Sequence, residues 1–139
     1  MTSIPYAWSD SWLLLSVLLA ASTEGATLDG IISVGDAINH AIFTFHEIDG
    51  GLARLLAGGL VRIDGKHVFP TDAATRIYQQ VRRGSMLSQM EALGKKIGAP
   101  PASTAHDPNR ADPAWSAVTF SKGDLERAYA SYSARSRRR

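Results

Sequence analysis

Residues 27–69 hold two short amphipathic helical segments, a tight turn between them and a β-hairpin directly after, and few folds accommodate that order. Thr27 stands as an N-cap, and Leu28, Ile31, Ile32 and Ile38 fall on one stripe of a helix. Gly30 and Gly35 lower the helicity of that segment by about 1 kcal/mol each relative to alanine, which a close helix crossing would explain. Asn39-His40-Ala41-Ile42-Phe43 forms the turn. Thr44-Phe45-His46-Glu47 then has capping-box spacing, with Phe43 placed to staple against Ile48. Ile48, Leu52, Leu55 and Leu56 make the inner stripe of the next helix, and Gly58-Gly59 ends it. Two β-rich runs flank Asp64-Gly65, which reads as a type I′ hairpin.

The flanking segments are helical too. A first helix starts at Ser9 or Asp10 and runs to Ala21. It is apolar on nearly every side, so it is buried in a core or between subunits. Its apolar run is too short to span a bilayer. With small residues after it, that run also has the length of the apolar part of an export signal, but residues 1–10 contain Asp10 and no Lys or Arg, which favours a buried helix over an export signal and predicts a cytoplasmic protein with no membrane contact. Thr71 caps a helix over residues 72–83 whose inner face carries Ile77 and Val81. Gly84 breaks it. A further helix over residues 85–97 carries Met86, Leu87, Met90, Leu93 and Ile97 as a near-heptad seam, a core or dimer stripe. Trp12, Leu15 and Leu19 of the first helix, with Met86, Met90 and Leu93, are the candidates for a homodimer interface. Residues 99–114 are proline-rich and linker-like. In the remainder, Trp115, Val118 and Phe120 are placed to dock a last helix over residues 121–134, which ends in a basic tail. The division is a domain over residues 1–98, a linker over 99–114 and an appendage over 115–139.

Charge and motifs narrow the function classes. Fifteen Lys and Arg oppose thirteen Asp and Glu, a net charge of +2. Arg135, Arg137, Arg138 and Arg139 carry that excess, and without them eleven basic residues face thirteen acidic ones. A protein that relies on phosphate contacts usually shows a stronger bias on its folded part. Cysteine is absent, which removes disulfides, thiolate chemistry and Cys-based zinc sites, and fits a reducing compartment. No G-x-S-x-G, P-loop or G-x-G-x-x-G motif occurs, so the sequence predicts no enzyme, no cofactor and no small-molecule ligand. Asp36 and His40 lie one helical turn apart; they make a polar pair that fixes the turn, or at most part of an acid–base or metal site, for which three or four ligands are normally needed.

The order helix, turn, helix, L-x-x-L-L-x-G-G-L-V (residues 52–61) and wing resembles winged helix-turn-helix domains of MarR-like and PadR-like bacterial regulators. The D-A-I-N-H-A-I-F-T stretch looks more narrowly like a group of small bacterial winged-helix proteins. The resemblance implies a mainly α fold with a small β-hairpin, a winged helix-turn-helix with helical extensions, and a dimeric, transcription-regulator-like protein that binds double-stranded DNA. On that reading Thr44, His46, Asp49 and Arg54 lie on the outer face of the recognition helix, and Arg62, Lys66 and His67 form the wing. Glu47 and Asp49 on the same outer face leave a second reading open, the same fold serving protein contacts without DNA.

Overall fold

The computed structural model describes residues 4–101 and 115–137. Among them the chain forms α1 (Trp8–Ala20), α2 (Leu28–Asn39), α3 (Phe45–Ala57), β1 (Val61–Asp64), β2 (His67–Pro70), α4 (Asp72–Val81), α5 (Met86–Ile97) and α6 (Lys122–Arg137). The protein is mainly helical with one small antiparallel sheet. The expected linker falls largely outside the described residues. No described helix is long and apolar enough to cross a membrane.

α1 is the axis of the core. Trp12, Leu13, Leu14, Leu15 and Val17 are all buried, and α2, α3, α5 and β2 pack around it. Four of the expected dimer residues, Trp12, Leu15, Met90 and Leu93, are thereby used up inside the chain's own core. Leu19 and Met86 remain 38% and 39% exposed. An apolar helix needs a neighbour on every side, and this chain supplies those neighbours itself.

α1 begins one or two residues earlier than its polar residues suggest. Its N-cap is Ala7, and Asp10 sits at N3, where its carboxylate accepts the Ala7 N–H at 2.9 Å. Asp10 therefore closes the first turn from inside the helix.

α2 crosses close to the turn that follows it. The Trp12 indole N–H donates to the Gly35 carbonyl at 2.9 Å, and the Trp12 ring stacks on Phe43 with centroids 3.7 Å apart. A Cβ at Gly35 would overlap the Phe43 ring. The close approach at Gly35 is therefore to a ring of the following turn and not, as expected, to a crossing helix. Thr27 accepts from the Gly30 N–H and Thr44 from the Glu47 N–H, while Glu47 reaches back to the Thr44 N–H at 2.8 Å. The capping box read from the sequence is present. Gly59, in the left-handed region, helps end α3 as Leu60 N–H bonds the Leu55 carbonyl at 2.9 Å.

The hairpin turns one residue later than expected. Asp64 pairs with His67, so Gly65 and Lys66 form the loop, and of these only Gly65 has positive φ. That is the pattern of a type II′ turn, not type I′. The reason is the pleat: this register sets Ile63 opposite Val68 and Val61 opposite Pro70 on one face, whereas a turn at Asp64-Gly65 would set Ile63 against Lys66. On the free side of β2, Ala26 exchanges two backbone hydrogen bonds with Val68, at 2.7 and 3.0 Å. α4 stops at Val81, two residues short of expectation, and α6 extends to Arg137.

Candidate functional site

The candidate face is the outer side of α3 together with the hairpin tip. The apolar stripe of α3 is as expected at Ile48, Leu52 and Leu55, but Leu56 turns outward. The larger departure is on the other side. Arg54, expected outside, is buried, and so is Gly50 beside it.

Arg54 is only 2% exposed. Its Nε donates to Asp10 Oδ2 at 2.6 Å and its Nη2 to Oδ1 at 3.0 Å, a bidentate pair closed from water. The assignment of Arg54 to an outward, base-reading role is corrected by this geometry, because a guanidinium in a buried pair is not available to a ligand. Space for the pair comes from the glycines: a Cβ at Gly51 would lie 2.6 Å from Leu13 and 3.0 Å from the Asp10 carboxylate. The pairing has a sequence signal: Asp10 heads an otherwise apolar helix, and a carboxylate drawn into the core with that helix needs a cation beside it.

Asp49 faces outward as expected, but it is engaged. Its Oδ1 accepts the N–H groups of Ala117 and Val118 at 3.0 and 2.9 Å, and its Oδ2 accepts the Ser116 hydroxyl at 2.6 Å. Residues 115–120 thus wrap the outer side of α3, and the Trp115 carbonyl lies within 3.3 Å of where a Gly50 Cβ would stand. Lys66 at the hairpin tip is also engaged. Its ammonium donates to the Thr119 carbonyl and, at 3.2 Å, to the Asp124 carboxylate. It also lies 5.3 Å from the centroid of the Phe120 ring.

Thr44 and His46 are exposed at the first turn of α3, although the Thr44 hydroxyl is occupied by the cap. Arg62 and His67 are exposed on the hairpin, with the Arg62 guanidinium 4.2 Å over the Phe69 ring. The seven residues read as a DNA face therefore do not act together. Arg54 is inside, Asp49 and Lys66 hold the C-terminal segment, and Thr44, His46, Arg62 and His67 remain outward.

Of the residues expected to dock the last helix, Phe120 is buried and Val118 is exposed, while the anchors that receive the segment, Asp49 and Lys66, carried no sequence signal. Ser121 and Asp124 cap α6 reciprocally, at 2.9 and 3.0 Å, and this Ser-x-x-Asp spacing was a legible start signal. The Ser121 N–H, and next the Lys66 ammonium, hold the Asp124 carboxyl well below the usual carboxylate range. α6 then lies along α2. The Tyr132 hydroxyl donates to Asp36 at 2.5 Å, and Arg135 pairs with Asp29 at 2.8 Å. The Asp29 carboxyl is lowered chiefly by the Thr27 hydroxyl and further by Arg135.

Asp36 accordingly bonds Tyr132, while His40 caps α2 in the left-handed region through its own backbone N–H. Among the described residues no three His, Asp or Glu side chains gather as a metal-binding group. What the site can do chemically is accept N–H and hydroxyl donors at Asp49, donate at Lys66 and enclose an aromatic ring. No family model matches this chain, no curated protein is similar to it, and neither is any solved structure.

Proposed function

We propose that the chain is a winged helix-turn-helix protein that works as a polypeptide-binding module and not as a reader of DNA sequence. The fold half of this reading is supported by the order α2, turn, α3, hairpin, with Ala26 adding a bridge beside β2. The functional half is carried by one observation. The outer face of α3 holds a stretch of polypeptide, anchored on Asp49 through two backbone N–H groups and a hydroxyl. A recognition helix presents several side chains to base edges in the major groove. Here the basic residue best suited to that task, Arg54, neutralises Asp10 inside the core.

Duplex DNA contact led by the hairpin is the second reading, favoured by the exposure of Arg62 and His67. Fluorescence anisotropy with a random-sequence duplex at low and moderate salt separates the two, since phosphate contacts release counterions and weaken steeply with salt. The polypeptide reading expects no such binding by the full chain. Steeply salt-dependent binding would return the DNA reading. Light scattering on the same sample is expected to give a monomer, because the helix α1 surface proposed for a homodimer is taken up within one chain.

A further inference from the structure

The segment over residues 115–120 and α6 form a C-terminal arm, and its attachment differs in kind from the rest of the fold. Phe120 is its one buried side chain among those described. Leu125, Ala128 and Tyr132 are half-buried against α2. The other links are mostly polar: the Lys66 pair with Asp124 and the Arg135 pair with Asp29 lie at the surface, and the Asp49 clasp and the Tyr132 hydroxyl bond to Asp36 are partly buried. Open clefts remain between arm and body on both sides of α6, one beside Phe120 and His67, the other between Phe43 and Tyr129.

The clasp also holds strain. Val118 has φ +53° and is 82% exposed, so a β-branched residue sits in the left-handed region with no packing of its side chain to compensate. This conformation presents its N–H, with that of Ala117, to Asp49. Strain of this kind persists only where surrounding contacts impose it, and it concentrates at clamps and switches.

Resting on the polypeptide-binding reading above, we propose that the arm is a releasable latch. It occupies in cis a groove formed by α2, α3 and the hairpin tip, and it opens as a unit at far lower cost than global unfolding. The groove then accepts in trans a polypeptide of the same pattern: a turn with free N–H groups for Asp49, an aromatic anchor beside Lys66, and a capped helix to lie on α2. Surface-held elements with few buried contacts open sub-globally while cores do not. A ligand competing with a cis occupant binds in proportion to the open fraction.

The arm and the groove can be altered separately in the full chain, and the expected effects are opposite. Native-state hydrogen exchange comes first. Amides of α6 are expected to be protected at least about a hundredfold less than those of Ile31 and Leu52. Asp49→Ala should accelerate arm exchange roughly tenfold without moving the core, and Val118→Gly should slow it about threefold by relieving strain. A fluorescent synthetic peptide of residues 115–135 is then titrated into the full chain. Phe120→Ala weakens the cis arm and leaves the groove intact, so it should bind the peptide about tenfold more tightly than wild type. Adding Asp49→Ala should abolish that gain. If Phe120→Ala does not fold, Phe120→Leu and Val118→Gly provide the same comparison from either side.

One common exchange rate for arm and core would overturn the latch. An arm that opens in a chain that takes no peptide would overturn the docking groove. Salt-sensitive duplex binding by the Phe120→Ala chain, whose groove is intact, without peptide binding would keep the latch and overturn the polypeptide reading on which the groove rests.

Discussion

Asp10 of α1 and Arg54 of α3, 44 residues apart, form a bidentate ion pair at 2.6 and 3.0 Å with both side chains almost wholly shielded from water. The pair sits where α1 starts and where α3 turns its supposed ligand face. It fixes the angle and depth at which α3 meets α1. It also removes from the surface the cation that a DNA-reading helix would need.

Breaking this pair from one side is expected to be costly. Arg54→Met leaves the Asp10 carboxylate buried with only the Ala7 N–H of its original bonds, and such uncompensated charges cost about 3–5 kcal/mol. Asp10→Asn with Arg54→Met should recover much of the loss, because the buried charge goes as well. Urea denaturation of the two single variants and the double measures this. A loss under about 1 kcal/mol for Arg54→Met would mean the pair is not structural.

Gly35→Ala sets two effects against each other. Helix propensity favours alanine by about 1 kcal/mol. The added Cβ meets the Phe43 ring, which cannot withdraw without leaving its stack on Trp12, and overpacking of this kind costs about 1–3 kcal/mol. The expected net effect is destabilisation by about 1 kcal/mol, with a weakened near-ultraviolet circular dichroism signal from Trp12. A stabilised variant with an unchanged spectrum would show that the crossing has room to spare.

At the start of α3, Thr44→Ala removes the hydroxyl that accepts the Glu47 N–H and should cost about 1 kcal/mol in thermal or urea unfolding. His46→Ala, two residues on and exposed, should stay within about 0.5 kcal/mol. Equal effects at the two positions would contradict the capping role of Thr44.

Acid is expected to loosen the arm before the core. Asp124 and Asp29 both have depressed carboxyl values, held down chiefly by the local Ser121 N–H and Thr27 hydroxyl and further by Lys66 and Arg135 across the arm contact; that cross-contact part stabilises the docked arm above the ordinary aspartate value of 3.8 and is lost as pH falls through each lowered value. Neutral and mildly acidic solutions should therefore show no change. Below about pH 4, amide NMR shifts of α6 should move while those of α1 hold. Asp124→Asn should flatten that response, and an unaltered profile in this variant would assign the acid sensitivity elsewhere.

Local patterns were legible because each rests on residues within one helical turn or one hairpin. Thr27, Thr44 and Thr71 cap the helices they were expected to cap, and α5 follows its apolar seam from Met86 to Ile97. The hairpin position was readable but its register was off by one, since Asp-Gly is a short-range signal and the pairing is decided by which face Val61, Ile63 and Val68 bury. Periodicity also misassigned the outer face of α3. Gly50 and Arg54 fall opposite the apolar stripe, and nothing in a single helix reveals that a second surface will cover that side.

The sequence by itself determined the elements: an apolar first helix, two capped helices about a tight turn, a hairpin, and a terminal helix after a proline-rich stretch. Those follow from propensity, capping and period, which act over a few residues. Tertiary structure alone decided what each surface meets. A buried charge must find its counterion wherever the chain can bring one, which joined Asp10 to Arg54, and a surface carboxylate takes whatever donors are presented to it, which gave Asp49 to the arm. Both pairings span more than forty residues, and no local rule carries information across that distance.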